Sequence, residues 1–438
     1  MKYFGTDGIR GKADMFTPEF ITRIVKGLVD YGGEKIKVLI GGDTRESTEW
    51  ILGDLSRALE TYGIEHDNVG VLPTPAINYC FFQMGYDFAI DVTASHNPYT
   101  DNGIKIFELG SEHGQKLSEH ACEIIEAAID SAEIPELVET TLDDDVHEVA
   151  TELYKEHLLN YLGPCDFSKL HIGMDCANGA TSVINSEIFK QLGATVELIN
   201  ANPNFGQTIN ANCGSTHLEP LKDLVVSNNL DFGIAFDGDG DRCLMIGPDG
   251  EEIDGDQIIT ILASFFELDA IAITVMANQG LLNWAKENNI HAEITAVGDS
   301  NVAEAMRTQG IKIGGEQSGH IILPGESTGD GMLTSLMVAK VASSSDDSLT
   351  KIASIMIKYP QVIVNMSATP EQKAALKEKD EVKNLLLDYD NKLQTVEGRL
   401  LVRPSGTENL IRITMWGNDE TAITNLANEL KDKLGEAL

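Results

Sequence analysis

Phe88-Ala89-Ile90-Asp91-Val92-Thr93-Ala94-Ser95-His96-Asn97-Pro98 passes from an apolar strand directly into a polar loop. A short apolar run bounded by turn residues reads as a strand buried in an α/β sheet. In such sheets ligands bind beyond the carboxyl ends of the strands, where this loop would lie. A serine there can act as a nucleophile or phosphate carrier, and His96 and the nearby Lys105 can handle protons. The alternative is a polar turn in which Asn97-Pro98 and Asn102-Gly103 do only turn work.

The pattern repeats outward. Lys37–Ile40, His171–Asp175, Thr195–Ile199, Asp231–Phe236, Ala270–Met276 and Ala292–Ala296 read as strands. Helical patterns near Trp50–Tyr62, Gln115–Ile129, Val149–Leu162, Ser182–Leu192, Leu281–Glu287 and Gly331–Ala342 alternate with them. The alternation predicts α/β domains with largely parallel sheets. The tail differs: strands at Val362–Met366, Arg399–Val402 and Asn409–Met415, with helices near Pro370–Leu387 and Thr421–Leu434, predict a small α+β unit. The acidic, Pro-containing stretch Glu133–Asp145 reads as a linker.

The 438 residues carry 32 Lys+Arg against 69 Asp+Glu, a formal charge of −37. That field repels phosphate backbones and anionic membranes, so neither nucleic acid nor membrane is expected as a partner. No apolar run reaches the roughly 18–20 residues needed to span a bilayer. The start, Met1-Lys2-Tyr3-Phe4, has no apolar signal region, so a cytoplasmic protein is expected. Six cysteines without a C-x-x-C pair read as reduced thiols. An anionic substrate would need a local basic island.

Four further motifs carry chemistry. Asp237-Gly238-Asp239-Gly240-Asp241-Arg242 places three carboxylates at alternate positions, which converge on one side of an extended segment and suit Mg²⁺ or Ca²⁺. An EF-hand fails, because its sixth position is Arg242 and its twelfth Pro248. Gly315-Glu316-Gln317-Ser318-Gly319-His320 offers a carboxylate, an amide and a hydroxyl, groups that bind sugar hydroxyls or an amine. Arg403-Pro404-Ser405-Gly406-Thr407 supplies a guanidinium, two hydroxyls and a Gly-containing backbone, a cradle for phosphate. Phe4-Gly5-Thr6-Asp7-Gly8-Ile9-Arg10-Gly11 could bring Arg10 to a phosphate, although read singly it is a flexible tail.

Together, in this order, the five stretches resemble the α-D-phosphohexomutase family from Phe4 to Met415. The resemblance implies four domains around a central cleft: three related α/β domains (1–147 with a phosphoserine loop, 148–248 with a metal loop, 249–364 with a sugar-binding loop) and a TATA-binding-protein-like α+β domain (365–438) with a phosphate-binding loop. It implies that Ser95 carries a phosphoryl group and, with Asp237, Asp239 and Asp241, holds one Mg²⁺. Lys105 would be the general acid/base, with His96 and His320 beside it. Arg10 and Arg242 would contact the transferred phosphate, Glu316 and Ser318 the sugar, and Arg403, Ser405, Gly406 and Thr407 the non-reacting phosphate. A lysine acting as base would need a lowered pKa.

Within the family, Asp175-Cys176-Ala177-Asn178-Gly179, Asn212-Cys213-Gly214-Ser215 and above all Glu316-Gln317-Ser318 resemble the members that act on an amino sugar. The expected reaction interconverts glucosamine 6-phosphate and glucosamine 1-phosphate through a 1,6-bisphosphate, which also serves as activator. Mannose or glucose phosphates are the alternative substrates. The expected partner is a small phosphosugar, and the expected state a monomer or homodimer. Gly42 and Ser300 stand where relatives carry basic residues, and Asn409 where they carry proline.

Overall fold

The computed structural model describes residues 1–110, 113–142, 146–184, 186–204, 206–405 and 409–438, with Lys377 as backbone only. The chain divides into two units: Met1–Thr274 with Glu293–Ser354, and Val275–Ala292 with Ile355–Leu438.

In the first unit the Ser95 strand, Phe88–Val92, lies inside a seven-stranded sheet. Lys37–Gly42 pairs in parallel with Glu65–Val71 and with Phe88–Val92. On the other side Asp101–Leu109 runs antiparallel to Phe88–Val92, and Gly8–Lys12 antiparallel to Asp101–Leu109. The expectation of largely parallel sheets is therefore corrected to mixed ones. The reason is loop length: residues 93–100 cannot form the crossover of a dozen or more residues that parallel neighbours require. Asn102-Gly103 is accordingly strand, not turn. Phe4–Gly11 is no flexible tail either. The strands Phe4–Gly5 and Gly8–Lys12 form a hairpin on the sheet edge, and the amides of Lys2, Tyr3 and Phe4 donate to Glu126 Oε1 at 2.7, 2.6 and 3.0 Å.

Helix Pro18–Gly32 starts with Thr17 accepting from the Phe20 amide and with proline in the first turn. Its Ile21, Ile24, Val25 and Leu28 recur at helical spacing and sit in the core with Val38, Ile40, Ile90 and Ile104. The Gln115 helix starts later than predicted, at Glu119 behind the Ser118 cap, because Gly114–Lys116 is a strand. The predicted helix Ser182–Leu192 is a 3-10 turn, Ala180–Val183, and a short helix, Glu187–Gln191.

A second sheet orders Glu252–Ile253, Cys243–Ile246, Phe232–Phe236, His171–Asp175 and Thr195–Ile199, with parallel pairing only among the last three. A third pairs Ala270–Thr274 in parallel with Gly314–Gly315, which turns back antiparallel onto Ile321–Ile322.

The second unit is the α+β tail. Its sheet orders Gln361–Ser367, Leu410–Trp416 and Arg399–Pro404, all antiparallel. Helix Glu420–Ala437 buries Ile423, Ala427, Leu430 and Leu434 against it. The single helix expected at Pro370–Leu387 is two, Pro370–Glu378 and Asp380–Leu393. Val275–Ala292 groups with the tail, although the sequence boundaries put it inside 249–364. Asn278 is why: its amide nitrogen donates to Tyr359 O (2.9 Å), and its Oδ1 accepts from the Tyr359 amide (2.9 Å).

Candidate active site

The loops after Phe88–Val92 and after Phe232–Phe236 meet inside the first unit. Both follow buried strands at their carboxyl ends, so the topology that buries Ile90 and Ile234 also delivers Ser95 and Asp237. Ser95 Oγ donates to Asp237 Oδ2 at 2.6 Å and lies 3.3 Å from His96 Nδ1. Ser95, Asp237, Asp239 and Asp241 are all buried, and one oxygen from each aspartate falls within 4.8 Å of the others. Gly238 admits the close approach: a Cβ there would stand 2.6 Å from Ser95 O.

Lys105 projects into the same cluster from Asp101–Leu109. Its Nζ lies 2.8 Å from Asp239 Oδ2, 3.0 Å from Asp241 Oδ2 and 3.2 Å from Asp7 Oδ2. Burial pulls its pKa down, but the three carboxylates outweigh burial and hold it well above the ordinary lysine value. The lowered pKa expected from the sequence is thereby corrected, and the cause is the company of Asp239, Asp241 and Asp7. Burial likewise raises Asp241, yet Lys105, His320 and Arg242 outweigh it and bring it down to about 2. Burial and the charges of Asp239 and Asp241 push Asp237 up. His96 is lowered to about 4, by burial first and then by Arg242 and Arg10.

Arg242 Nε stands 3.8 Å from Asp241 Oδ1 and 3.9 Å from Asp237 Oδ2. Arg10 pairs with Asp7, and Lys116 bridges Asp7 and Asp299. His320 Nε2 lies 3.6 Å from Asp299 Oδ2, and the backbone of residue 320 pairs with that of Arg242. The five residues assigned to the proton or the transferred phosphate, Lys105, His96, His320, Arg10 and Arg242, thus lie in one network with Ser95 and the aspartates. Its buried Asp239 Oδ1 and Asp241 Oδ1 have no hydrogen-bond partner. Orphaned hard oxygens in a three-carboxylate set fit a divalent cation.

The sugar-type loop is placed differently. Glu316 Oε1 accepts from the Gly298 amide at 3.1 Å, and Gln317 Nε2 donates to Asp254 Oδ2 at 3.1 Å. Asp254 caps the helix Gly255–Phe265, so part of what fixes Gln317 is structural. A cavity of about 680 Å³ opens beside His320, lined also by Lys116, Asp299, Ser300 and Lys312. Glu316 and Ser318 are not among its lining residues.

In the tail unit, Arg403 stands opposite Arg412 on adjacent strands. Burial first, and then the Arg412 charge, lowers its pKa. The Ser405 amide donates to Leu410 O (2.9 Å), and Lys373 Nζ to Ser405 O (2.9 Å). Gly406 and Thr407, assigned to the same cradle, lie outside the described residues.

Several participants carry no role in the sequence reading. Asp7 sits in a quoted motif without one, Asp299 stands beside the noted Ser300, and Lys116 is not singled out. Arg45 is fully buried and donates to four carbonyls of the Ser95 loop. The available signal is position: Asp43-Thr44-Arg45 follows the strand Lys37–Gly42, the parallel neighbour of Phe88–Val92, so its loop opens at the same sheet end. Gly42 is explained by packing, since a Cβ there would lie 2.5 Å from Val92 O.

Domain order and site together define a phosphohexomutase, and the sequence comparison agrees: the chain belongs to the phosphoglucomutase/phosphomannomutase family. Residues 1–135, 152–250 and 254–359 match that family's alpha/beta/alpha domains I, II and III, and 363–433 its C-terminal domain. Among curated proteins, the chain is 40% identical to the phosphoglucosamine mutase of Caldicellulosiruptor saccharolyticus, with 99% of each chain covered. Its fold matches the crystal structure of a phosphoglucomutase/phosphomannomutase family protein from Burkholderia thailandensis (TM-score 0.78, 21% identity, 99% and 97% covered). It also matches Aspergillus fumigatus N-acetylphosphoglucosamine mutase in complex with GlcNAc-6P and magnesium (TM-score 0.62, 16% identity, 90% and 82% covered).

Proposed function

We propose that this chain is an isomerase that interconverts glucosamine 6-phosphate and glucosamine 1-phosphate, a phosphoglucosamine mutase. The observation that carries the reading is Ser95, buried and donating to Asp237 at 2.6 Å amid two further aspartates and Lys105. That set suits transfer of a phosphoryl group to and from the serine. Full-length similarity to curated phosphoglucosamine mutases supports the amino sugar as substrate.

Phosphorylated Ser95 gives its phosphoryl group to a hydroxyl of the phosphosugar. The P–Oγ bond breaks and a P–O bond to the sugar forms; the sugar hydroxyl's proton passes to a base, and the departing Ser95 Oγ takes up a proton. The resulting 1,6-bisphosphate turns over, Ser95 Oγ gives up its proton as it takes the other phosphate, and the freed sugar oxygen is reprotonated. Lys105, charged against the aspartates, is placed to reprotonate the freed oxygen as general acid, and would act as base only where those carboxylates are drawn to a cation, with His96 and His320 beside the path. Arg10 and Arg242 receive the moving phosphate. Arg403 and Ser405, with Gly406 and Thr407, hold the stationary one, and Glu316 and Ser318 orient the sugar. Asp237, Asp239 and Asp241, with the Ser95 phosphate, would hold Mg²⁺, which would supply neutralisation of charge on the phosphoryl oxygens. Among the described residues no helix is long and apolar enough to cross a membrane. The six free cysteines suit a cytoplasmic site of action.

The test is a kcat/KM panel with Mg²⁺ and a trace of bisphosphate, comparing glucosamine 6-phosphate, glucose 1-phosphate and mannose 1-phosphate. We expect the amino sugar to lead by about a hundredfold or more, about 3 kcal/mol in transition-state terms. Equal or better turnover of glucose or mannose phosphate retains the reaction and overturns the substrate.

A further inference from the structure

Ser95 has a left-handed backbone, φ 53°. A serine rarely adopts that conformation without something to hold it. Its carbonyl oxygen shows what does. Arg45 Nη2 donates to Ser95 O at 2.7 Å and to Asn97 O at 2.9 Å, and Nη1 to Pro98 O at 2.6 Å and Asp101 O at 3.1 Å. From the metal-loop domain, Asn210 Nδ2 donates to the same two carbonyls, Ser95 O at 2.8 Å and Asn97 O at 3.1 Å. Asp43 orients the guanidinium, with Oδ2 2.9 Å from Arg45 Nε, and the same oxygen accepts from the Thr93 hydroxyl at 2.7 Å. Thr93 Oγ1 in turn accepts from the Ser95 amide at 2.9 Å. Both peptide groups of Ser95 are thus gripped, and the hydroxyl is left as the free end, aimed at Asp237.

We propose that Arg45 and Asn210 are positioning residues for phosphoryl transfer, which hold Ser95 O from two domains and so fix Oγ against the metal loop. Neither side chain hydrogen-bonds Asp237, Asp239 or Asp241; Asn210 Nδ2 packs beside Gly238 of the metal loop, where a Cβ would stand 2.8 Å away, but its bonds go to the Ser95 loop. A misplacement of about 1 Å at a reacting atom can cost about a hundredfold in rate. The effect belongs in kcat, because both side chains act on the Ser95 carbonyl and neither is a group assigned to the sugar or its stationary phosphate.

The inference rests on the mutase reading above, and the experiment separates the two. Asn210→Ala and Arg45→Lys are compared with the wild type in two assays: turnover of glucosamine 6-phosphate, and labelling of Ser95 by glucose 1,6-bisphosphate, read by mass. Asn210→Ala leaves no buried charge unpaired, so it stands as the deciding variant if Arg45→Lys does not fold. We expect kcat to fall about 10- to 100-fold in each variant, KM to stay within about threefold, and Ser95 labelling to slow in parallel. Wild-type kcat in either folded variant, or a loss carried by KM alone, overturns the proposal. A wild type that labels on Ser95 but does not turn over glucosamine 6-phosphate counts against the substrate reading; the positioning proposal is then decided by labelling rates.

Discussion

The two regions proposed to handle phosphate in this chain are built on opposite plans. Around Ser95 every cation has an answer: Lys105 meets three carboxylates, Arg10 and Lys116 meet Asp7, and Arg242 faces Asp237 and Asp241. In the tail unit Arg403 stands against another arginine, and among the described residues no carboxylate pairs with it. A site that must pass a phosphoryl group back and forth needs fixed geometry, which dense pairing supplies. A site that only holds a phosphate needs unanswered positive charge, and in a protein of net charge −37 that is a local exception.

If the comparison is right, the two regions fail differently. Ser95→Ala should lower turnover by about four orders of magnitude or more, because no other group carries the phosphoryl. Substrate binding, followed by calorimetry, should remain within a few fold. Turnover near wild type would end the phosphoserine reading. Asp239→Asn should come next: the Mg²⁺ concentration for half-maximal rate should rise about a hundredfold, and chelation should silence the wild type reversibly. Arg403→Ala should be milder and of another kind. Loss of a charge-assisted bond to phosphate, worth about 1.5–3 kcal/mol, raises KM about 10- to 100-fold. A fall in kcat with KM unchanged would place Arg403 among the transferring groups and erase the contrast.

How much of this was legible in the sequence follows the same division. The short motifs were legible because their chemistry is local: three aspartates at alternate positions, a serine after a buried strand, an arginine beside hydroxyls. The supporting partners were not. Arg45 acts through four backbone carbonyls near 50 residues away in sequence, and Asp7 through lysines on two other strands. Such partners are set by sheet order, which an expectation of largely parallel sheets leaves out: the strand Asp101–Leu109, which carries Lys105, is not among the predicted ones and runs antiparallel after a connection too short for a crossover. Gln317 shows the converse. The sequence offers its amide as one of three polar groups on a sugar-type loop, and in the structure that amide nitrogen is held by Asp254, a helix cap that lies 63 positions earlier.

The last prediction leaves chemistry aside and asks whether buried carboxylates outside the network behave differently from those within it. Asp330 is buried, caps the helix Gly331–Ser343 through the Leu333 amide, and accepts from Tyr154 Oη at 2.8 Å. Burial raises its pKa to about 6; the Leu333 amide and the Tyr154 hydroxyl, which stabilise the charged form, do not offset it, and Glu326 adds to the rise while His157 opposes it. The folded state therefore binds a proton between roughly pH 4 and 6 that the unfolded state releases, and stability falls as pH rises through that window. A shift of about two units corresponds to a penalty of about 3 kcal/mol above pH 6. Asparagine can make both hydrogen bonds without charge, so Asp330→Asn should raise Tm at pH 7.5, do little at pH 4.5, and flatten the dependence between. The mechanism gives Asp330 no part, so kcat and KM should hold within about twofold. A variant less stable at pH 7.5 would mean that the charge itself, answered by His157, supports the helix, and the contrast between paired and unpaired burial would have to be redrawn.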